Sequence, residues 1–488
     1  MNTLLKAYSF IIIIGFLTMG CQPTNSAVIT KSAEDRTLSA VEKLQLKNIE
    51  QLIQERVTEN NIPSLSVGLI KYNKILAYQN VGTTERGGEQ AVNENTVFQI
   101  ASLTKTFTGL IAKELMIEEK IDVNASITTY LPTTLSKATI EKLQPITIRD
   151  LLQHKSGFPR DAAQSNRPWQ FLDGPMVGGY SETELLQDLE AMELIHTPGS
   201  KMEYSNLGFG TMGYILERVA GIPLPDLYDK YLVDKYGMKH STIDLAKAKE
   251  YGMATPYMKW WRSIETSPWE MGYLRSAGGL CSTVADLSQM MLQQMNAYQN
   301  FAINQQQSAL VLSEDKTAWG KSGYPYYGYG IMEFNKAIDT TMVHIGHGGD
   351  VDGFASAYIF FPKQQVGIVM LTSSGGEWFN HLEWAIQGVL LDIQPRQTMD
   401  LAAANFDQFT GTYQFADGQT LTVTQAENHI ISQSKEGKPY AAFPYEANKF
   451  YYPNYPAELI FENGRVQKVD PMGNSSFGEK MTVSLTVN

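Results

Sequence analysis

The order of strand-like and helix-like segments along the chain constrains the fold more than any other feature of the sequence. Segments rich in apolar, β-branched and aromatic residues occur near the start and again late in the chain: 65–70, 75–81, 327–334, 355–361 and 366–372. Helical periodicity dominates the region between these two groups, and a closing helix is predicted over 378–391. We therefore predict an α+β domain whose sheet is built from both of its ends, with a helical region inserted at about 102–310.

Length and composition predict more than one folding unit. A chain of 488 residues, of which 43% are hydrophobic, exceeds one ordinary core. From about residue 405 the sequence changes to short strands with hairpin signals at Asp417-Gly418 and Asn463-Gly464. We predict a main domain over 41–395, a linker over 396–404 and a small all-β domain over 405–488.

The first residues have the features of an export signal. Lys6 precedes an apolar stretch over 10–17, which is too short to span a membrane as a stable anchor. The stretch leads into LTMGC, which resembles the lipobox of a bacterial lipoprotein and ends at Cys21. We therefore predict a lipoprotein-type signal peptide over 1–21, a polar tether over 22–40 and a protein anchored by lipid at the membrane, facing the periplasm. A cleaved signal without lipid is the alternative.

Charge and cysteine usage limit the partners and cofactors. The net charge of -12 is spread along the chain, which argues against a nucleic-acid partner. Cys21 and Cys281 are the only cysteines, so a lipidated Cys21 leaves Cys281 unpaired and the mature protein without a disulfide. No C-x-x-C or H-E-x-x-H motif occurs and the seven histidines are scattered, so we predict no metal site and no cofactor. The oligomeric state stays open.

An apolar helix near residue 100 contains a serine and a lysine one turn apart. In QIASLTKTFTGLIAKELM, residues 99–116, Ser102 and Lys105 fall on one face, and apolar side chains cover much of the rest. Such a lysine is expected to be buried, so its charge needs a partner or a chemical role. The S-x-x-K spacing can join a nucleophilic hydroxyl to an amine. By itself the spacing is weak evidence, since it recurs twice, at Ser313/Lys316 and Ser432/Lys435.

Two further polar clusters lie in turn-rich segments downstream. Acyl transfer through a serine needs a base, donors for the developing oxyanion and groups that orient the substrate. EYSNLGFG follows a Pro-Gly turn at 198–199 and offers Tyr204 and Asn206. HIGHGGDVDGFASAYIFFP places His347 just before a predicted strand. These residues are candidates to complete a site around Ser102.

The motifs, in this order, resemble those of the serine β-lactamase and penicillin-binding-protein superfamily. The similar branch contains class C β-lactamases, esterases, D-aminopeptidases and DD-peptidases, whose motifs are Ser-x-x-Lys, Tyr-x-Asn and Lys-Thr-Gly or His-x-Gly. The flanking phrases LLQHKSGFP, PGSKMEYSN, SAGGLCSTVADL and YGYG agree. The resemblance covers roughly residues 45–395. It implies a β-lactamase/transpeptidase-like antiparallel sheet flanked by helices, followed by a C-terminal β domain of a kind often appended to these hydrolases.

The resemblance implies a role for each residue of the first two motifs. Ser102 would attack the acyl carbon of the substrate, and Lys105 and Tyr204 would share the serine proton. A buried lysine beside a phenol is expected to lower the pKa of both groups, which leaves the identity of the general base open. Asn206 would hydrogen-bond the acyl side chain of the substrate.

The third motif carries the remaining candidate residues. The resemblance places His347 and Gly349 at the substrate-binding wall of the pocket, with His347 also a candidate to protonate the leaving group. The backbone amides of Ser102 and Asp350 would form the oxyanion hole. Two alternatives to His347 stay open: Lys321 and His344.

A histidine in place of the third-motif lysine removes a fixed positive charge from the pocket wall. Penicillins and D-Ala-D-Ala peptides present a carboxylate that such a charge would bind. We therefore expect an exported serine hydrolase that acts through a Ser102 acyl-enzyme on a small-molecule or peptide substrate: an ester, an amide or a D-amino-acid peptide. A β-lactamase or DD-carboxypeptidase acting on cell-wall peptides is the alternative. A non-catalytic penicillin-recognition or scaffold protein is the alternative of another class.

Overall fold

The computed structural model describes most of the chain between residues 29 and 481. The described residues are 29–31, 38–161, 179–258, 264–304, 308–312, 314–318, 326–335, 342–393, 398–399, 406–435, 439–452, 455–469 and 475–481. The predicted signal peptide with Cys21 lies outside them, as do most of the predicted tether and most of the predicted linker. Within these ranges, no helix is long and apolar enough to cross a membrane.

A nine-stranded antiparallel sheet forms the centre of the main domain. Its strand order is β1-β3-β2-β11-β10-β9-β8-β7-β6, and β4 and β5 pair with each other separately. Because β2 pairs with β11, the N-terminal hairpin and the late strands belong to one sheet, and the predicted α+β fold is confirmed. The strands, numbered in chain order, are β1 (Ile29–Lys31), β2 (Ser64–Lys71), β3 (Lys74–Gly82), β4 (Phe98–Gln99), β5 (Cys281–Ser282), β6 (Thr317–Ala318), β7 (Tyr326–Tyr327), β8 (Met332–Asn335), β9 (Val343–Val351), β10 (Phe354–Phe361) and β11 (Val366–Thr372).

Helices cover both faces of the sheet. On one face α1 and α11 bury apolar side chains, among them Ile49 and Leu382, against β2, β3, β10 and β11. On the other face α10 packs on the same strands, and the helices around α2 and α6 continue that core. The helices are α1 (Ala40–Asn60), α2 (Thr104–Ile117), α3 (Lys137–Leu143), α4 (Ile148–Leu152), α5 (Glu182–Ala191), α6 (Asn206–Ala220), α7 (Leu224–Tyr228), α8 (Leu245–Glu250), α9 (Arg275–Gly278), α10 (Val284–Asn304) and α11 (Glu377–Leu390).

The strand predicted over 327–334 is interrupted in the structure. The chain leaves β7 at Tyr327, turns, and enters β8 at Met332. Gly330 causes the break, because its φ of +80° lies in the left-handed region and a Cβ there would be 2.0 Å from the carbonyl oxygen of Lys105. The turn therefore packs directly on the backbone of α2, and the Thr106 hydroxyl donates to the Gly330 carbonyl at 2.7 Å.

The C-terminal region is a closed antiparallel barrel, which confirms the predicted small all-β domain. Aromatic rings fill its interior, including Phe409, Phe450 and Phe461. It contacts the main domain at α11, where the Tyr440 hydroxyl donates to Glu377 Oε2 at 3.0 Å. Its strands are β12 (Gly411–Phe415), β13 (Thr420–Gln425), β14 (Ile430–Ser434), β15 (Tyr440–Glu446), β16 (Lys449–Tyr452), β17 (Tyr455–Glu462), β18 (Arg465–Val469) and β19 (Ser475–Lys480).

Candidate active site

Ser102 lies at the entrance of α2, inside a 3₁₀ turn over Ala101–Leu103. The preceding residue, Ala101, has a φ of +49°, a left-handed conformation that few non-glycine residues adopt. Neighbouring strands hold this turn, because Ile100 N–H donates to the Leu280 carbonyl at 2.9 Å and the Ser356 hydroxyl donates to the Ile100 carbonyl at 2.7 Å. The serine side chain is left partly exposed, at the start of a helix whose N-terminal amides favour negative charge.

Lys105 is completely buried beside the serine. Its Nζ lies 3.3 Å from Ser102 Oγ, 2.8 Å from Asn206 Oδ1 and 2.7 Å from the Ala277 carbonyl oxygen. Burial holds the pKa of the Lys105 amine well below its ordinary value, because no solvent compensates the charged form. The nearby Arg160 guanidinium lowers this pKa further. The structure thus brings the first motif and the asparagine of the second motif together around one buried amine whose pKa is lowered.

Tyr204 lies two residues before the start of α6 and contacts the same serine. Its side chain is hydrogen-bonded to Ser102, and Lys105 Nζ lies 4.8 Å from its ring centroid. Desolvation raises the pKa of Tyr204 to about 12, although the hydrogen bond to Ser102 acts in the opposite direction. The expectation that the pKa of both groups falls is therefore wrong for the phenol, which keeps its proton at neutral pH.

Asn206 begins α6 and connects Lys105 to a carboxylate that the sequence analysis did not single out. Its Oδ1 accepts from Lys105 Nζ, and its Nδ2 donates to Asp161 Oδ1 at 2.6 Å. The backbone contributes as well, because Asn206 N–H donates to the Arg160 carbonyl at 2.6 Å. Ser205 caps α6 by accepting from Gly208 N–H at 2.9 Å. Arg160 and Asp161, which directly follow LLQHKSGFP, are thereby bonded to the second motif.

Strand β9 brings His347 to the cluster and carries His344 away from it. Residues three apart on a strand point to opposite faces, and His344 stacks on Phe334 with ring centroids 4.9 Å apart. His347 instead contacts Tyr327 of the YGYG phrase, whose hydroxyl lies 3.3 Å from His347 Nε2. Lys321, the other alternative, lies outside the described residues.

His347 is held as a neutral imidazole. Its Nδ1 lies 2.5 Å from the Gly348 carbonyl, an acceptor, so Nδ1 carries the proton and Nε2 accepts from the Tyr327 hydroxyl. Burial lowers the pKa of His347 to about 3, and Lys105 adds to the effect. The expected proton transfer from His347 to a leaving group does not fit this state, because both ring nitrogens are occupied within the protein.

Gly349 of β9 lies directly against the turn that carries the nucleophile. A Cβ built on Gly349 would lie 2.2 Å from the Ile100 carbonyl oxygen and 2.8 Å from the backbone nitrogen of Ser102. Only glycine therefore allows β9 this close to the serine turn. Asp350 follows, exposed at the strand end and paired in register with Ala355.

Comparisons with known proteins identify the family of the chain. The family model described as Beta-lactamase matches residues 49–390. Protein flp of Staphylococcus aureus strain MW2 is 25% identical over 337 residues, which span 68% of this chain and 64% of that protein. A β-lactamase of Providencia stuartii is 24% identical over 358 residues, which span 68% of this chain and 87% of that protein.

A solved structure has a similar fold over nearly the whole chain. The octameric penicillin-binding protein homologue from Pyrococcus abyssi superposes with a TM-score of 0.63 at 19% identity, over 89% of this chain and 100% of that chain. At that identity the likeness shows the fold alone. The family model covers well over half of the sequence. The chain therefore belongs to the β-lactamase family, within the superfamily of serine β-lactamases and penicillin-binding proteins.

Proposed function

We propose that the protein is an exported serine hydrolase that forms an acyl-enzyme on Ser102. Family membership supports a serine hydrolase in general, and the hydrogen bonds of Lys105 carry the finer assignment. A neutral amine has two hydrogens and one lone pair. Two of its three neighbours, Asn206 Oδ1 and the Ala277 carbonyl, can only accept hydrogen bonds. We propose that the resting amine is neutral, which leaves its lone pair for the third neighbour, the hydroxyl of Ser102.

This arrangement assigns the general base to Lys105. As Ser102 Oγ forms a bond to the acyl carbon, its proton passes to Lys105 Nζ, and the carbonyl oxygen becomes an oxyanion facing the amides of Ser102 and Asp350. The Tyr204 phenol, still protonated at neutral pH, relays a proton to the departing alcohol or amine, and Lys105 then restores the phenol proton. Water attacks the acyl-enzyme in the second half of the reaction, and its proton returns to Ser102 as the acid is released.

The pocket wall favours substrates without a required carboxylate. His347 is neutral, so it does not supply the fixed positive charge that a lysine in the third motif would offer to the carboxylate of a penicillin or a D-Ala-D-Ala peptide. We propose esters, amides and D-amino-acid peptides as the substrate class.

One observation supports a second candidate, a β-lactamase or DD-carboxypeptidase. The Arg160 guanidinium lies 5.0 Å from the Tyr204 ring centroid, and its side chain is 67% exposed. Its contact with Asp161 is long, at 3.8 Å, so the guanidinium can still bind a substrate carboxylate at the mouth of the site.

Intact-mass analysis tests the proposal. The protein is exposed separately to a fluorophosphonate, to benzylpenicillin and to p-nitrophenyl acetate, next to the variants Ser102→Ala and Ser432→Ala. Ser432 provides a matched control, because it belongs to a second S-x-x-K sequence but lies in the barrel, hydrogen-bonded to Tyr452. We expect adducts in the wild-type protein and in Ser432→Ala, and none in Ser102→Ala.

The substrate arms decide between the candidates. Turnover of p-nitrophenyl esters or D-alanyl p-nitroanilide without turnover of cephalosporins supports the first candidate, whereas cephalosporin turnover that falls in Arg160→Gln supports the second. Absence of any Ser102-dependent adduct would favour a non-catalytic penicillin-recognition or scaffold protein and would overturn the proposal.

Membrane anchoring is a separate proposal supported by the sequence of residues 1–21. We propose that Cys21 is lipidated after cleavage of the signal and that the protein faces the periplasm. Metabolic labelling with a palmitate analogue should mark the full chain and fail to mark Cys21→Ala. Export without label in the wild-type protein would instead indicate an ordinary cleaved signal.

A further inference from the structure

His154 occupies a buried position between the second and third motifs, and the mechanism above does not use it. Its ring centroid lies 4.3 Å from that of Tyr204, 4.9 Å from that of Phe209 and 4.6 Å from that of Tyr327. Tyr327 in turn contacts Nε2 of His347. One imidazole therefore packs against both the catalytic phenol and the tyrosine that holds the third motif.

The same residue also fixes the backbone on both sides of Tyr204. Glu203 N–H donates to the carbonyl oxygen of His154 at 2.7 Å, and Ser205 N–H donates to His154 Nδ1 at 3.0 Å. The two amides that flank the tyrosine are thus bonded to a single residue, whose ring supports the tyrosine ring. The direction in which the phenol leaves the backbone depends on these three contacts.

The hydrogen bond from Ser205 fixes the tautomer of His154. Because Nδ1 accepts, the ring proton is on Nε2. Burial lowers the pKa of His154 well below its ordinary value, and the neighbouring Lys105, His347 and Arg160 lower it further. The lone pair on Nδ1 is therefore available to Ser205 throughout the physiological pH range.

The position carries two costs that packing alone does not explain. The backbone of His154 has a φ of +57°, in the left-handed region. Within the described part of the chain its buried Nε2 has no hydrogen-bond partner, and a buried polar group without a partner is destabilising. A phenyl ring would fill similar space without the second cost. What the imidazole adds is the acceptor at Nδ1.

We infer that His154 is a positioning residue, whose ring nitrogen and backbone carbonyl hold the Tyr204 peptide so that the phenol meets the hydroxyl of Ser102. The inference rests on the proposed function. It assigns His154 no contact with substrate and no proton transfer. Its consequence is that the Nδ1 acceptor, rather than the volume of the ring, controls the rate at which Ser102 reacts.

Three substitutions separate the acceptor from the ring. His154→Asn places an amide oxygen close to the position of Nδ1 and suits a left-handed backbone, since asparagine is enriched there. His154→Gln places its amide near Nε2 instead, and His154→Phe keeps the ring without an acceptor. His344→Asn is the matched control, a buried histidine on the opposite face of β9. The readout is the rate of fluorophosphonate labelling of Ser102, beside thermal unfolding of each variant.

We expect His154→Phe to slow labelling by about 100-fold, the effect of a displacement near 1 Å, and His154→Asn to recover most of the loss. His154→Gln should be labelled as slowly as His154→Phe. If His154→Phe does not fold, the comparison of His154→Asn with His154→Gln tests the inference. In a double-mutant cycle, the variant that carries both His154→Phe and Tyr204→Phe should be labelled only slightly more slowly than Tyr204→Phe alone. Both substitutions act through the phenol, so their effects should not add.

Equal labelling rates for His154→Asn and His154→Gln, or additive losses in the cycle with Tyr204→Phe, would overturn the inference alone. Wild-type rates in His154→Phe would also overturn it, since packing alone would then suffice. A wild-type protein that is not labelled at Ser102 would reject the proposed function, and the inference with it. The two failures are thus distinguished by the wild-type control.

Discussion

A methyl group added at Gly349 tests how closely strand β9 must approach the nucleophile. In Gly349→Ala the new Cβ would lie 2.2 Å from the Ile100 carbonyl oxygen and 2.8 Å from the nitrogen of Ser102. Ordinary contacts between such atoms begin at about 3.5 Å, so one of the two segments must move by about 1 Å. Both neighbours are backbone atoms, and no side-chain rotation can relieve the contact.

The expected loss follows from that displacement. A misplacement of about 1 Å costs roughly 100-fold in rate, and loss of one oxyanion donor costs about 10²–10³-fold. We therefore expect kcat for p-nitrophenyl acetate to fall by about 10²–10³-fold in Gly349→Ala, with a smaller change in KM, because the donors matter most when the oxyanion forms. Stopped-flow measurement of the acylation burst isolates this step.

The adjacent glycine provides the control. A Cβ on Gly348 would meet only the Ser356 carbonyl, at 3.3 Å, on the other face of the strand. Gly348→Ala should therefore stay near the wild-type rate. Wild-type burst kinetics in Gly349→Ala, with an unchanged unfolding temperature, would show that β9 can retreat from Ser102 without effect and would refute the reasoning.

Further predictions follow from the same structure. Tyr204→Phe should lower kcat by about 100-fold without changing the unfolding temperature, since it removes a proton relay, and a loss confined to KM would contradict that role. The kcat/KM of the wild-type enzyme should fall as pH falls through the lowered pKa of Lys105 and stay level above it, well below the pH at which free lysine titrates. His347→Gln should leave the shape of this profile between pH 5 and 8 unchanged, because the pKa of His347 is about 3. Loss of the fall in kcat/KM at low pH in this variant would refute the prediction. Phe450→Ala should destabilise the barrel by about 3–5 kcal/mol in calorimetry while esterase activity at 25 °C persists.

The arrangement of strands and helices in the main domain could be predicted, because it follows from hydrophobic periodicity and from the order of the segments along the chain. Strand segments at both ends of the main domain had to pair, and β2 pairs with β11. The break at Gly330 could not be predicted, because it depends on a close approach to the carbonyl of Lys105, more than 200 residues away in sequence. Sequence patterns describe one segment at a time, whereas such a contact is a property of two.

At the site, too, features of a single segment could be predicted, whereas contacts between distant segments could not. Ser102 and Lys105 were predictable because residues three apart share a helix face, and Tyr204 and Asn206 because a resemblance named them. The Ala277 carbonyl, which accepts a hydrogen of the lysine amine, has no sequence signal, since every residue has a carbonyl.

The direction of the Tyr204 pKa was predicted wrongly for a related reason. The expectation rested on a buried lysine lying beside the phenol. Desolvation of the buried phenol is instead the largest influence, so the pKa of Tyr204 rises, although the hydrogen bond to Ser102 and the Arg160 guanidinium oppose the rise. A sequence shows that the two groups are near each other, but the sign of their effect depends on how completely the fold excludes water from both.

The lowered pKa of Lys105 explains how a lysine can serve a chemical role at a buried position. Lys105, His154 and His347 form one cluster in which the positive charge of Lys105 would lower the pKa of both histidines, and burial acts on all three. Because all three groups are buried, a positive charge anywhere in the cluster is costly. In the proposed mechanism Lys105 receives the proton of Ser102 and becomes an unstable buried ammonium. A lysine with an ordinary pKa would already be protonated and could not take the proton, whereas this one accepts it and is driven to pass it on to the leaving group.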